Sequence, residues 1–192
     1  RDDAAKDMLE YLCVLNVWTD ELAVDIGGQA LHNFSHNTYK RVKNFSFIQE
    51  ERVENEELDL TVQRFDKTIQ SILIATCDEK LIADVKTALN EYFKKYFADK
   101  RTFNTSDIFY LKLWADFILR FADDSETLQN QYDDNIDSHV NDLREYAEFE
   151  AVESILKPFI NKIKELGDVD TLSYAYFEMN LGLLKEAQGD YN

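Results

Sequence analysis

The clearest helical pattern in the chain is residues 78–98, which read DEKLIADVKTALNEYFKKYFA. Apolar residues recur there at steps of three and four, so one face of a helix becomes continuously hydrophobic. The apolar stripe consists of Leu81, Ile82, Val85, Leu89, Tyr92, Phe93, Tyr96 and Phe97. Asp78 is a residue type that caps helix N-termini, and we predict that the helix begins after it.

The same spacing runs through most of the chain, which has only 5 Gly and 1 Pro to interrupt helices. We predict seven further helices, at about residues 3–25, 29–43, 56–76, 105–123, 125–147, 149–166 and 168–189. Between the second and third of these we expect a loop or a ragged helix end at residues 44–57, because one extended segment alone cannot form a sheet. The prediction is an all-α fold of about eight antiparallel helices, arranged as a helical bundle or as stacked helical hairpins.

Residues that favour helix ends mark several of these boundaries. The expected C-terminal ends are at Gly27-Gly28, Gly167 and Gly189. The expected N-terminal starts are at Thr105 or Ser106, at Ser125, and at Asp168 or Asp170. Pro158 falls inside the predicted helix at 149–166, where its missing N–H predicts a kink or a break.

A chain of 192 residues has the size of one domain, and we predict a single domain over residues 1–192. The chain begins at Arg1 rather than Met, so it can be a fragment of a longer protein. Two cysteines are too few for a disulfide framework. We interpret Cys13 and Cys77 as reduced core residues in amphipathic helices of a cytoplasmic protein.

The charge balance narrows the range of partners. Lys and Arg number 21 against 38 Asp and Glu, which gives a formal net charge of −17. Binding to nucleic acid or to anionic membranes needs a surplus of basic residues, so neither is expected. A hydrophobic content of 45% is too high for a disordered acidic tail.

The end of the last predicted helix resembles part of a known repeat family. Leu181-Gly182 is followed, seven residues after the Gly, by Gly189-Asp190-Tyr191. This spacing is similar to the first helix and turn of a tetratricopeptide repeat, although Glu178 and Lys185 occupy positions that are usually aromatic. The resemblance covers about 20 residues and implies a helical scaffold that binds peptides or partner helices.

Sequence motifs for catalysis are missing from the chain. Its five glycines, at positions 27, 28, 167, 182 and 189, cannot form a phosphate-binding loop or a dinucleotide fingerprint. There is no Cys-x-x-Cys pair and no Ser in a nucleophile elbow. We therefore predict that the protein is not an enzyme and uses no cofactor.

Two weak metal-site patterns leave an alternative open. His32 and His36 are four residues apart, so on one helix they could ligate the same ion, as in a metal-dependent helical-bundle enzyme. Asp133-x-Asn135-x-Asp137 resembles the opening of an EF-hand calcium loop. That loop needs Gly and Glu where this chain has Ser138 and Arg144, and an Arg would repel calcium.

The strongest functional signal is the separation of charges along the chain. Eleven acids lie between residues 123 and 153, and Arg144 is the only base there. A second acidic cluster comprises Glu50, Glu51, Glu54, Glu56, Glu57 and Asp59. One interpretation is a solvated surface that only keeps the protein soluble. The other is a docking surface for a basic partner, since such surfaces attract cationic proteins over long distances.

We expect the docking surface to combine carboxylates with aromatic anchors. If one helix continues through this region, Tyr146 and Phe149 share a face with several acids. The predicted partner-binding residues are Asp133, Asp134, Asp137, Asp142, Glu145, Tyr146, Glu148 and Phe149. The predicted function is binding of a basic protein or peptide, as by an immunity or inhibitor protein that neutralises a toxin. A tetratricopeptide-like scaffold segment of a larger assembly is the alternative.

Overall fold

The structure is a computed structural model that describes residues 3–54 and 59–189. These residues form ten helices and three short strands. In chain order the elements are α1 (Asp3–Leu15), β1 (Val17–Trp18), α2 (Asp20–Ala30), α3 (His36–Val42), β2 (Ile48–Glu54), β3 (Asp59–Phe65), α4 (Lys67–Ile74), α5 (Glu79–Phe97), α6 (Thr105–Arg120), α7 (Ser125–Asn135), α8 (Asp137–Glu145), α9 (Phe149–Leu166) and α10 (Leu172–Gln188). The prediction of a mostly helical protein is confirmed, but the helix count of about eight and the absence of strands are wrong.

The chain divides into two compact units, Arg1–Ala98 and Asp99–Asn192. In the first unit α1 packs against α3, α4 and α5, and α2 packs against α5. The C-terminal half of α1 is fully buried, so this helix is the core of the unit. The prediction of one domain over the whole chain stays a prediction.

A three-stranded antiparallel sheet belongs to the first unit. β2 and β3 pair along their full length, with Ile48 opposite Phe65, and β1 pairs with the other edge of β3. The predicted loop at 44–57 is therefore wrong from Ile48 to Glu54, and the predicted helix at 56–76 is wrong from Asp59 to Phe65 but confirmed in its second part, which is α4 (Lys67–Ile74). The apolar spacing of β3 matches a helix as well as a strand, so the pairing partner decides the conformation. Residues 55–58 lie outside the described part.

The predicted first helix is also divided. Asn16 has a positive φ of 72° and ends α1, after which β1 and the N-cap residue Thr19 lead into α2. Gly27 and Gly28 lie inside α2 rather than at its end, because α2 continues to a C-cap at Leu31. The predicted helix at 29–43 is reduced to α3, which Ser35 caps.

The second unit consists of α6 to α10. Its core is aromatic: Tyr132 packs edge-on against Phe159 and Phe177, with ring centroids 5.0 and 4.9 Å apart. α9 contacts α6, α8 and α10, and it joins α10 through a short turn. These two helices form a helical hairpin.

Several predicted helix ends are confirmed. Asp78 caps α5, while Gly167 and Gly189 adopt the left-handed conformation at the ends of α9 and α10. α6 and α7 begin at Thr105 and Ser125 as expected, although the residue just before each is the cap, and α10 begins later than expected, at Leu172. α6 is capped by Asn104, which forms a capping box with Asp107; α7 is capped by Asp124, and α10 by Thr171.

Two predictions about helix continuity are wrong. The predicted helix at 125–147 is two helices, α7 and α8, that meet at Ile136. α8 then ends before Ala147, which is exposed and has a positive φ of 60° rather than facing the core. In contrast, α9 continues through Pro158, so a break there is wrong, while the alternative of a kink stays a prediction. No helix in the described part is both long and apolar enough to cross a membrane.

Candidate functional site

The candidate site lies where α7 ends and α8 begins. Asp133 and Asp134 are exposed on the last turn of α7, and Asp137 is the half-buried first residue of α8. Further along, Asp142 is half-buried, and Glu145 and Glu148 are exposed. We call these six carboxylates the acidic surface: Asp133, Asp134, Asp137, Asp142, Glu145 and Glu148.

Tyr176 of α10 is an aromatic residue among these acids. Its hydroxyl donates a hydrogen bond to a carboxylate oxygen of Asp137 at 3.2 Å and also contacts Asp133. Burial, followed by the charges of Asp137 and Asp133, raises the pKa of Tyr176 well above its ordinary value. The hydroxyl therefore stays protonated at neutral pH and remains a donor to Asp137, with Asp133 nearby.

Arg144 does not neutralise the acidic surface. Its guanidinium donates to the Oδ1 atoms of Asn141, at 3.1 Å, and Asn180, at 3.3 Å. Within the described residues, none of the six carboxylates forms an ion pair. The only base among residues 123–153 thus joins α8 to α10, and Asn141, which accepts from Arg144, donates in turn to Asp137 at 2.9 Å.

Acids outside the acidic surface form ion pairs in both units, among them Asp107 with Lys100 at 2.6 Å and Glu153 with Lys157 at 2.8 Å in the second unit. In the first unit Asp20 accepts hydrogen bonds from Lys43 at 2.6 Å and from Tyr39 at 2.5 Å, and Glu51 pairs with Arg64 at 3.0 Å. Residues 99–192 contain 9 Lys and Arg against 20 Asp and Glu, a formal charge of −11 out of −17. The larger share of the negative charge therefore belongs to the unit that carries the acidic surface.

The two aromatic residues predicted as anchors do not share a helix. Tyr146 follows the end of α8 and is 55% exposed, whereas Phe149 begins α9 and is half-buried. The expectation that one helix presents both rings is wrong, because Ala147 interrupts it. Sequence reasoning missed Tyr176, since no local signal connects it with acids about 40 residues earlier in the chain.

A buried hydroxyl lies in the core of the same unit. Tyr132 is fully buried against Phe159 and Phe177, and its hydroxyl has no hydrogen-bond partner among the described residues. Burial and the charge of Asp137 raise its pKa far above the ordinary value. The ring centroids of Tyr132 and Tyr176 are 6.3 Å apart in an edge-to-face contact. α10 therefore packs against this core through its aromatic side chains.

The histidines are not arranged as a helical metal site. His32 lies in the turn before α3, and His36 is the first residue of that helix, so the expected shared helical face is wrong. Both imidazoles are exposed, and His36 contacts the Phe34 ring edge-on. The described residues contain no group of three or more His, Cys, Asp or Glu side chains placed to hold a metal ion. Asp133 to Asp137, the residues of the calcium-loop pattern, lie in helices α7 and α8 and the junction between them.

The two cysteines, 64 positions apart in sequence, are neighbours in the first unit. The Cys13 thiol donates to the Gln70 carbonyl at 3.4 Å and the Cys77 thiol to the Glu10 carbonyl at 3.6 Å, and the two thiols are close enough to interact. Cys13 is buried in α1 as predicted. Cys77 is half-buried in the turn before α5, so its predicted place inside a helix is wrong. The interaction with Cys13 lowers the pKa of the Cys77 thiol, although burial and Glu10 oppose this effect.

The other sequence signals fall outside the acidic surface. In the second acidic cluster Glu50 and Glu51 are exposed on β2, while Glu56 and Glu57 lie outside the described residues. Asp190 and Tyr191 of the tetratricopeptide-like stretch also lie outside them. Gly182 is exposed with open space around it, and the resemblance stays a prediction.

A surface cleft of the first unit lies between α2 and α5. It has a volume of about 600 Å³ and is lined by Asp25, Gln29, Glu91, Tyr92, Lys95 and Tyr96. These side chains carry both signs of charge. Comparison of the chain with protein-family models, curated proteins and solved structures gives no significant match.

Proposed function

We propose that this protein is a non-catalytic interaction domain that binds a basic protein or peptide through the acidic surface. Six carboxylates without intramolecular ion pairs carry this proposal. Like charges that repel one another in the free protein are stabilised when a partner supplies Lys and Arg. The most specific form of the proposal is an immunity or inhibitor protein, which neutralises a basic toxin by covering it.

The geometry favours Asp133 and Asp137 as the centre of the contact. Tyr176 brings both carboxylates within reach of one hydroxyl, so a single guanidinium can bridge them in the bidentate manner that Arg prefers. The tyrosine ring beside them gives the cation an aromatic neighbour. Tyr146, at the far end of α8, adds a second exposed ring to the same surface.

The test compares two variants with equal net charge. The first neutralises the acidic surface by Asp133→Asn, Asp134→Asn, Asp137→Asn and Glu145→Gln. The control neutralises four exposed acids of the first unit by Asp3→Asn, Asp7→Asn, Asp84→Asn and Glu91→Gln. The probe is an unstructured peptide of alternating Arg and Gly, and its affinity is measured by fluorescence anisotropy at low and at physiological salt.

We expect the first variant to bind the probe about thirtyfold more weakly, because four surface ion pairs of about 0.5 kcal/mol each total about 2 kcal/mol. The control variant should bind much as the original protein does. Equal weakening of both variants would mean that only net charge attracts the peptide and would overturn the proposal. The same holds if neither variant changes the affinity.

One observation also favours the scaffold alternative. α9 and α10 form a helical hairpin, and the outward side of α10 carries exposed apolar residues on which another helix could stack. The two proposals differ in the charge they require of the occupant. A scaffold needs only apolar complementarity there, whereas the proposed function requires a cationic partner.

A further inference from the structure

The last described helix is apolar on more than one side. Ser173, Phe177, Leu181 and Leu184 form its buried side, together with Asn180. On another side, Leu172 is 89% exposed, Met179 is 58% exposed and Leu183 is 46% exposed. An exposed apolar face on a helix whose other side is already buried in the core marks a surface that a partner can cover.

The exposed residues form a continuous stripe. Positions 172, 179 and 183 are separated by seven and four residues, so they lie on one face of α10 over about 16 Å. Ala175 and Gly182, which are also exposed, lie next to them and leave room for a close approach. We call Leu172, Ala175, Met179, Gly182 and Leu183 the α10 stripe. Its length corresponds to three turns of a second helix.

Tyr176 forms the border between the stripe and the acidic surface. It is four residues after Leu172 and three before Met179, so it shares their side of the helix. Its hydroxyl reaches Asp137 and Asp133. An apolar stripe and an adjacent pair of carboxylates without ion pairs together describe the complement of an amphipathic helix whose flank is basic.

We infer that the α10 stripe receives the apolar face of a basic amphipathic helix, whose flanking Lys and Arg contact Asp133 and Asp137. The inference rests on the proposed function and specifies the kind of partner. A second copy of this chain is disfavoured as the occupant, because it would bring its own acids against the same carboxylates. Leu and Met side chains also suit helical partners of varied shape, since Met adapts to irregular gaps.

The experiment uses two synthetic peptides of identical composition, each about 18 residues long, or five helical turns. In the first, Leu residues recur every three and four positions and Lys residues flank them. In the second, the same residues are scrambled so that no apolar face forms. Anisotropy titrations compare the original protein with Met179→Gln and with the control Ile72→Gln, a residue of the first unit that is also 58% exposed.

We expect the amphipathic peptide to bind about tenfold more tightly than the scrambled one, because burial of apolar side chains adds to the charge pairing. Met179→Gln should remove most of that advantage, and Ile72→Gln should preserve it. Because Met179 is exposed, circular dichroism and the melting temperature should show the same folded structure in both variants.

The outcomes separate this inference from the proposed function. In one outcome the protein binds both peptides with equal affinity, and the double variant Asp133→Asn, Asp137→Asn loses this binding. That outcome would overturn the α10 stripe as a docking site, while the proposed function would stand. Binding insensitive to those two carboxylates would overturn both. If sedimentation equilibrium finds a dimer that Met179→Gln dissociates, the stripe is covered by a second copy and the inference is wrong.

Discussion

The Tyr176 hydroxyl lies 3.2 Å from a carboxylate oxygen of Asp137, which joins the middle of α10 to the first residue of α8. We predict that this bond contributes about 1 kcal/mol to the free energy of unfolding. Urea denaturation of Tyr176→Phe, Asp137→Ala and the double variant gives the coupling energy directly, because alanine has no oxygen to accept the bond. Tyr174→Phe, which removes a 2.8 Å bond to Glu178 on the same helix, is the control and should not couple to Asp137→Ala. Strict additivity of Tyr176→Phe and Asp137→Ala would contradict the contact.

Substitution of alanine for each of two adjacent glycines of α2 should change the stability of the protein in opposite directions. A Cβ at Gly27 would overlap the Phe34 ring and lie 3.2 Å from Tyr11, whereas one at Gly28 would meet nothing within 4 Å. We predict that Gly27→Ala destabilises the protein by about 1–3 kcal/mol through overpacking. Gly28→Ala should stabilise it by up to about 1 kcal/mol, because Ala favours helix more than Gly does. Thermal melts of both variants check this, and the same sign for both would contradict the described packing.

Stability should depend on pH through His139. This residue of α8 is half-buried near the rings of Phe103 and Trp114, and burial lowers its pKa although Asp142 opposes the shift. The unfolded chain then takes up the proton first, so stability falls as pH decreases from about 7.5 through the unfolded pKa of about 6.5. At pH values below the pKa of His139 in the folded protein, the loss of stability due to this residue is complete.

The variant His139→Phe isolates that effect, since it keeps an aromatic ring between Phe103 and Trp114. We expect its unfolding free energy to change less than that of the original protein between about pH 7.5 and about pH 5.5. His32→Gln, which alters an exposed imidazole, should follow the original profile. If His139→Phe has the same pH dependence as the original protein, His139 is not the group responsible.

The contact between Cys13 and Cys77 predicts an internal disulfide under mild oxidation. With diamide, the Cys77 thiolate adds to the azo bond and the Cys13 thiol displaces the adduct, so the two thiols lose two hydrogens and the reagent becomes a hydrazine. Intact-mass measurement should show the loss of two hydrogens in the monomer. Cys13→Ser should instead keep a diamide adduct at Cys77, and Cys77→Ser should react slowly because Cys13 is buried. An unbridged, doubly modified protein would contradict the contact.

Periodicity located the long helices well because local spacing and capping determine them. α5 and α9 occur where the apolar pattern predicts them, and Gly167 and Gly189 end helices as expected. The sheet was not predictable in this way, since β3 satisfies a helical pattern and becomes a strand only through pairing with β2 and β1. Such pairing depends on residues far apart in sequence.

From the sequence, the candidate site could be predicted only as a set of acidic residues, without their spatial arrangement. Charge counting identifies Asp133 and Asp137, and their positions in helices follow from local pattern. Their connection to Tyr176 requires the packing of α10 against α7, which no spacing in the sequence specifies. The expectation that one helix carries Tyr146 and Phe149 is wrong for a local reason, since Ala147 has a positive φ just after the end of α8, and the role of Phe149 in binding stays a prediction.

The charges on β2 have a consequence for the behaviour of the protein at high concentration. Among the described strands β2 is at one edge of the sheet, with unpaired backbone groups that could recruit a strand from another molecule. Glu50, Glu51 and Arg52 are exposed along that edge. Charged side chains at a sheet edge oppose intermolecular strand addition through their hydration, so we expect these three residues to limit association of β2 with another molecule.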